Sequence, residues 1–545
     1  MKLSHRPLHL AALWLALLAW LGFSTAALGD TDSQAPASPA GFEQLVRQLP
    51  QGGLPQRAET IARLGALDDP RVIEVLTALQ DGQLQADRSA PPRVAVRRGG
   101  QLQDVLTGEP VQDSTGFRRV PVNNSLRSQL RTLLAQLNLN HEDARMRYEA
   151  VRRFIRDGID QASIALLEAR QTQEESGLVN SAIDTALALY QLNHGSPAQR
   201  LEAVDALHGS LEQEARNALT ALASHPDTPT ELREAAEAAL RSIAGRISFY
   251  RFIENLTFGL SLGSILLLAA IGLAITFGVM GVINMAHGEL IMLGAYTTWG
   301  VQVLFPDLIE WSLLIAIPSA FLISGLVGIA IERGIIRFLY GRPLETLLAT
   351  FGVSLVLQQA VRTLFSPLNR PVSSPEWISG TLTINPVLSI TWTRLYILLF
   401  GLAVFVALLL VMKRTTLGLK VRAVSQNRAM ARAVGVRSSW IDALTFGLGS
   451  GIAGVAGVAL SQITNVGPNL GQAYIIDSFM VVVFGGVGNL WGTLVSAMSL
   501  GLINNFLEPY AGAMLAKVLV LIMLILFIQK KPKGLFPQKG RAAAD

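Results

Sequence analysis

The 545-residue chain contains no cysteine. That absence excludes disulfide staples, thiolate metal sites and cysteine nucleophiles. No G-x-x-x-x-G-K-[ST] string occurs either, so the chain has no P-loop with which to hold nucleotide phosphates. Charge is scarce, at 16% of residues, and uneven: the first 245 residues are rich in it, whereas apolar runs dominate the remainder. The formal charge of +5 does not gather into one soluble basic patch, because the basic residues cluster beside those apolar runs. They read as topology signals, and no nucleic-acid partner is expected. His141, His194, His208 and His225 fall near helix ends or loops without metal-ligand spacing to one another. No metal, cofactor or catalytic group is therefore expected in this chain.

What is present begins with Lys2, His5 and Arg6 ahead of an apolar core over residues 8–21, then small residues including Ser24, Ala26 and Ala27. This is the pattern of a secretory signal ending near Ala26 or Gly29, and its core is short for a membrane span. Residues 1–29 are thus expected to be a signal peptide and 30–40 a Pro/Ser/Ala linker. From Arg57 the string RAETIARLGALDDPRVIEVLTALQDGQL predicts two amphipathic helices separated by Asp68, Asp69 and Pro70. Further helices are expected over 143–173, 176–193, 196–224 and 230–244, punctuated by Gly195, Pro197, Pro226 and Pro229. Such pairs look like HEAT-type repeats, which stack because no single pair buries its own apolar face. Residues 91–122, with the alternating RVAVRR, predict a small strand-bearing insertion. Residues 41–245 are therefore expected to form a soluble HEAT-like α-solenoid that offers a partner an extended surface.

From residue 258 onward nine apolar runs are candidate spans: 258–279, 288–304, 313–331, 344–365, 395–412, 441–463, 475–487, 491–506 and 513–528. Several fall short of the roughly 20 residues that a perpendicular span needs, which suggests broken or re-entrant segments. Basic residues test the topology independently, since cytoplasmic loops carry excess Lys and Arg. Arg333, Arg337 and Arg342 mark one such loop; Lys413, Arg414, Lys420, Arg422, Arg428, Arg432 and Arg437 mark another; Lys530, Lys531, Lys533, Lys539 and Arg541 mark the tail. The alternation implies an all-α polytopic domain over 250–536, with the N-terminal domain outside and a tail, 537–545, inside. Nine passes satisfy that arrangement.

Within the first two runs lies the polar string INMAHGE, beginning at Ile283. Polar groups there are costly in lipid and mark function. On one reading Asn284, His287 and Glu289 line a solute path through donors and acceptors without fixed counter-charge. On the other, Asn284 caps the second span and Glu289 sits at its positive N-terminus. Charge alternation places this turn at the cytoplasmic end of the hairpin, which favours a gate or a helix start over substrate contact. Gln358 is a further candidate, as are Gly485, Gly486, Gly488 and Asn489 in FGGVGNLWG, which looks like a helix break. An intramembrane hydrolase built on His287 and Glu289 lacks an accompanying metal triad or serine motif.

Four strings carry a family likeness: GLSLGSILLLAAIGLAITFGVMGVINMAHGELIMLGAY from Gly259, RPLETLLATFGVSLVLQ from Arg342, VRAVSQNRAMARAVGV from Val421 and VFGGVGNLWGTL from Val483. In that order they resemble the bacterial branched-chain amino-acid and urea ABC permeases of the LivH type. The long N-terminal extension and the first and last strings look most like the urea permease subunit. The resemblance implies an inner-membrane subunit that pairs with a second homologous permease, two cytoplasmic ATPase subunits and a periplasmic solute-binding protein, with ATP and Mg on the ATPases. It also implies that residues 413–440 hold a coupling helix, capped by Asn427 and ended by Gly435. Arg428, Ala429, Met430 and Arg432 lie on that helix, with the two arginines as ATPase-contact candidates. Urea is the expected solute. Branched-chain or other amino acids are the alternative, and a membrane-anchored sensor using its solenoid to bind a partner is the second.

Overall fold

The computed structural model describes residues 39–537 apart from 68, 88, 90, 99, 100 and 112–115. The expected signal peptide, most of the linker and nearly all of the tail lie outside the described residues. The chain packs as two compact bodies, one up to Tyr190 and one from Gln191.

The first body opens with α1 (Pro39–Gln48), α2 (Leu54–Gly65) and α3 (Arg71–Gln80). Here the break expected at Asp69 and Pro70 is real, and Asp69 Oδ1 accepts from the Arg71 N–H at 2.9 Å. Four short strands follow: β1 (Leu84–Ala86), β2 (Val94–Arg98), β3 (Gln101–Asp104) and β4 (Arg118–Arg119), paired antiparallel in the order β3-β2-β1-β4. The insertion thus starts earlier than the sequence alone indicates, because β1 belongs to its sheet. Next come α4 (Asn124–Leu139), α5 (Ala144–Asp157), α6 (Gln161–Gln171) and α7 (Gly177–His194). Side chains of Asn123, Asp143 and Asp160 accept from the first-turn amides of α4, α5 and α6 and so set where each helix begins. One apolar cluster, including Phe42, Ile61, Leu76, Leu84 and Leu130, joins the first helices to the sheet. Glu174 is buried between Arg147 and Arg170, and the Arg147 guanidinium above all holds its carboxyl well below the usual range, at about 2.

The second body starts with α8 (Pro197–Ala206) and α9 (Gln213–Ser224), which pack against α10 (Thr230–Met280). This helix runs 51 residues, or about 76 Å at 1.5 Å per residue, unbroken through the change from charged to apolar sequence. Then follow α11 (His287–Leu304), α12 (Ser312–Gly334), α13 (Pro343–Phe365), a small hairpin of β5 (Thr381–Thr383) and β6 (Ser389–Thr391), and α14 (Trp392–Arg414). Two short helices, α15 (Thr416–Gln426) and α16 (Arg428–Ala433), lead to α17 (Ser438–Ser461), α18 (Leu470–Gly485) and α19 (Leu490–Lys530). Among the described residues six helices, α10, α12, α13, α14, α17 and α19, are long and apolar enough to cross a membrane.

Against the nine expected spans, the last two runs are two helical segments that meet at Gly512, whose backbone (φ 76°, ψ 158°) leaves the helical region just after Pro509, as the break between those runs suggests. The second and seventh runs are the short helices α11 and α18, of 18 and 16 residues. Their passes are completed by the non-helical segments 281–286 and 462–469. At the centre stands α17, 89% of whose apolar window is buried. Its glycines let α10, α11 and α12 approach closely. A Cβ on Gly457 would collide with the Ile291 carbonyl of α11, and one on Gly454 would lie 2.5 Å from the Ala320 carbonyl of α12.

Candidate functional site

The polar string lies deeper than the charge pattern suggests. After Met280, Gly281 adopts a left-handed conformation (φ 66°) that ends α10, and the chain doubles back alongside it. His287 Nε2 then reaches the carbonyl of Ala269 at 2.8 Å. Ala269 is eleven residues before Met280, so the return covers about 16 Å of helix. A carbonyl only accepts, so the imidazole proton sits on Nε2. The reversal at Gly281 stays at the end of α10, while the start of α11 is set back along that helix: excess Lys and Arg locate the ends of a pass but not re-entrant backbone between them.

Such backbone is stable at this depth only if its polar groups are satisfied inside the protein. Local turns supply most of the backbone partners, and one helix, α13, adds bonds to both the backbone and the Glu289 side chain. The buried stripe of α13 is Thr346, Thr350, Ser354, Gln358 and Val361, so four of its five residues are polar. Thr350 Oγ1 accepts from the Met285 N–H at 3.1 Å. Ser354 Oγ and Gln358 Nε2 both donate to Glu289 Oε1, at 2.9 and 2.7 Å. One turn further on, Arg362 donates to Asn469 Oδ1 at 2.6 Å, just before α18 begins. Ser354 stands at the middle of the 23-residue helix, so the Glu289 carboxyl is level with the centre of α13. Asn284, His287 and Glu289 are all buried.

The structure thus joins two of the residues singled out in the sequence, Glu289 and Gln358, in one hydrogen bond, with His287 on the α10 side of the same helix start. Asn284 is not the cap of α11: its Oδ1 accepts from the Ala286 N–H at 3.0 Å, a local turn before the helix. Glu289 does lie in the first turn of α11, where the helix dipole favours a negative group. The start of α18 meets it, Gly471 packing backbone to backbone on Gly288. Reasoning from sequence overlooked Thr346, Thr350, Ser354 and Arg362. Their signal is a polar residue at every fourth position from 346 to 362, on a helix whose other residues are mostly apolar.

Gly485, Gly486, Gly488 and Asn489 form a different structure. Gly486 and Gly488 take positive φ, and Asn489 caps α19 by accepting from the Trp491 and Gly492 amides. The C-terminal segment covers this break: Leu535 and Phe536 amides donate to the Phe484 and Gly485 carbonyls at 2.9 and 3.1 Å. Asn489 Nδ2 donates to the Phe536 carbonyl.

In the basic loop, Asn427 Oδ1 accepts from the Met430 N–H at 2.9 Å and starts α16, and Gly435 turns the chain with φ 87°. Arg428 is turned inward, paired with Asp442 of α17 and stacked over the Tyr340 ring. Arg432 Nε donates to Ser438 Oγ at 2.8 Å. Both arginines therefore anchor α16 to its own chain, and the apolar Met430, with Val434 just past the helix, is left exposed.

Apolar spanning helices around re-entrant backbone, sealed by buried polar groups, define the class: a multi-pass membrane protein of the transporter type. The chain belongs to the branched-chain amino acid transport system permease component family, which matches residues 255–528. It is 30% identical over 297 residues to the high-affinity branched-chain amino acid transport system permease protein BraD of Pseudomonas aeruginosa, covering 52% of this chain and 96% of that one. It is 29% identical over 303 residues to the corresponding protein LivH of Escherichia coli, covering 53% and 96%. The ribose import permease protein RbsC of Escherichia coli is 26% identical over 293 residues, covering 51% and 87%. No solved structure matches the chain. These relatives are transporter subunits and not enzymes.

Proposed function

We propose that the chain is a transmembrane permease subunit of a binding-protein-dependent ABC importer of the bacterial inner membrane, and that it carries branched-chain amino acids. The family match across the membrane-spanning half carries this reading. The names of its relatives favour the amino-acid alternative over urea. The absence of a P-loop string leaves ATP hydrolysis to partner subunits. A second permease, two ATPases and a solute-binding protein complete the machine on this reading. The basic loops lie in the cytoplasm, with the N-terminal helical body outside as a surface for partner recognition. The exposed apolar Met430 of α16 and Val434 just past it suit docking into an ATPase.

The polar ladder between α13 and α11 is the proposed gate. Side-chain hydrogen bonds are directional and exchangeable, so α13 can be released by breaking a few of them without opening an interdigitated core. Uptake of labelled leucine and labelled urea, compared in a strain with and without this chain, tests the reading. Chain-dependent leucine uptake is the expected result; uptake of urea alone would return the urea reading.

A further inference from the structure

Two charged side chains stand alone in apolar helices. In α18 the string LGQAYIIDSFMVVVFG carries only Asp477, and in α19 the string AMLAKVLVLIMLILFI, beginning at Ala513, carries only Lys517. They face each other, Lys517 Nζ lying 3.3 Å from Asp477 Oδ2, and the exposures of the two side chains are unequal, at 52% and 8%. The carboxylate is therefore held inside while the ammonium opens onto the outer face of α19. Lys517 lies five residues past the break at Gly512, near one end of this apolar run, and ionisable groups inside such runs are rare and mark a use. Beside it on the same helical stripe, Met514, Val518 and Leu521 are also exposed. An ammonium, a recessed carboxylate and an aliphatic stripe thus share one place.

We infer that the Asp477–Lys517 pair recognises the zwitterionic head of an aliphatic α-amino acid in passage, Lys517 taking its carboxylate and Asp477 its ammonium. Met514, Val518 and Leu521 take the branched side chain. The inference rests on the amino-acid reading above. Opening an ion pair in apolar surroundings is costly unless both charges are replaced at once. A zwitterion replaces both in one exchange, whereas a neutral solute such as urea replaces neither. The pair thereby holds α18 to α19 when no solute is present and selects for solutes carrying both charges.

The test uses the complete importer reconstituted in liposomes with labelled leucine, and the double variant Asp477→Asn with Lys517→Met. Neutralising both members of such a pair leaves stability nearly unchanged, so a merely structural pair predicts normal uptake as well as normal assembly. Recognition predicts normal assembly and ATP hydrolysis with leucine uptake reduced at least about tenfold through a raised KM. Uptake within about twofold of the unaltered importer overturns the inference. Should the double variant fail to assemble, Asp477→Asn with Lys517→Gln, which neutralises both members and keeps a neutral donor on the stripe, is read in the same way. An unaltered importer that carries urea and not leucine overturns the amino-acid reading itself, and this inference with it.

Discussion

Two helices of the membrane body bury their inner faces by opposite means. In α17, 89% of the apolar window is buried, with backbones drawn together at Gly449, Gly454 and Gly457. In α13, 28% is buried, and the buried stripe is mostly hydroxyl and amide. Dispersion between close backbones is short-ranged and unforgiving, since a single methyl group fills the gap. Hydrogen bonds between side chains tolerate displacement and can be remade with other partners. The first arrangement suits a fixed post around which other helices pack. The second suits an element that moves, and it holds α13 at the level where the chain re-enters the bundle.

The largest expected effect comes from the post. Gly457→Ala places a methyl against the Ile291 carbonyl and the Ala295 amide, both backbone and neither able to turn away. Overpacking of this kind costs about 1–3 kcal/mol and more where backbone must shift. The variant is expected to lose most correctly assembled protein, read as membrane yield and as thermal midpoint in detergent. Normal yield and midpoint would show that α17 is not a fixed post.

Breaking the ladder is expected to act differently. Gln358→Leu removes one of two donors to Glu289 and leaves a buried acceptor poorly satisfied, at about 1–3 kcal/mol. Assembly should survive, because Val353, Leu357 and Val361 keep their apolar contacts on either side of residue 358, and leucine uptake should fall. If yield falls as far as in Gly457→Ala, the ladder is structural in the same sense as the glycine seam. Glu289→Gln is milder, since an amide oxygen still accepts from Ser354 and Gln358. Uptake within about twofold of normal is expected if acceptor geometry is the need, and a larger loss would assign the task to the charge.

The contrast was only partly legible in the sequence. The glycine-rich GLGSGIAGVAG, which begins at Gly447 in α17, announces close packing by composition, and INMAHGE announces itself because Asn, His and Glu are conspicuous in apolar surroundings. The partner stripe is quieter, since a single Thr or Ser inside a span commonly bonds its own helix and attracts no notice. Only the spacing of four from Thr346 to Arg362 sets these residues apart. The depth of Glu289 was not readable, because it depends on the chain doubling back after Gly281. Nor was the inward turn of Arg428, which needs Asp442 and Tyr340 from two other segments brought to one place.

The smallest expected effect sharpens the comparison most. Gly352 lies on the outward side of α13, and nothing is within 4 Å of a Cβ built there. Alanine is favoured over glycine inside a helix by about 0.8–1.0 kcal/mol, so Gly352→Ala should slightly raise the thermal midpoint and leave uptake intact. The same substitution is thus predicted to help one helix and to ruin the other. A loss of stability at Gly352 in the assembled importer would mean that another subunit packs on α13 there. The helix would then be enclosed on both sides, and its freedom to move would have to come from that second contact and not from the polar ladder.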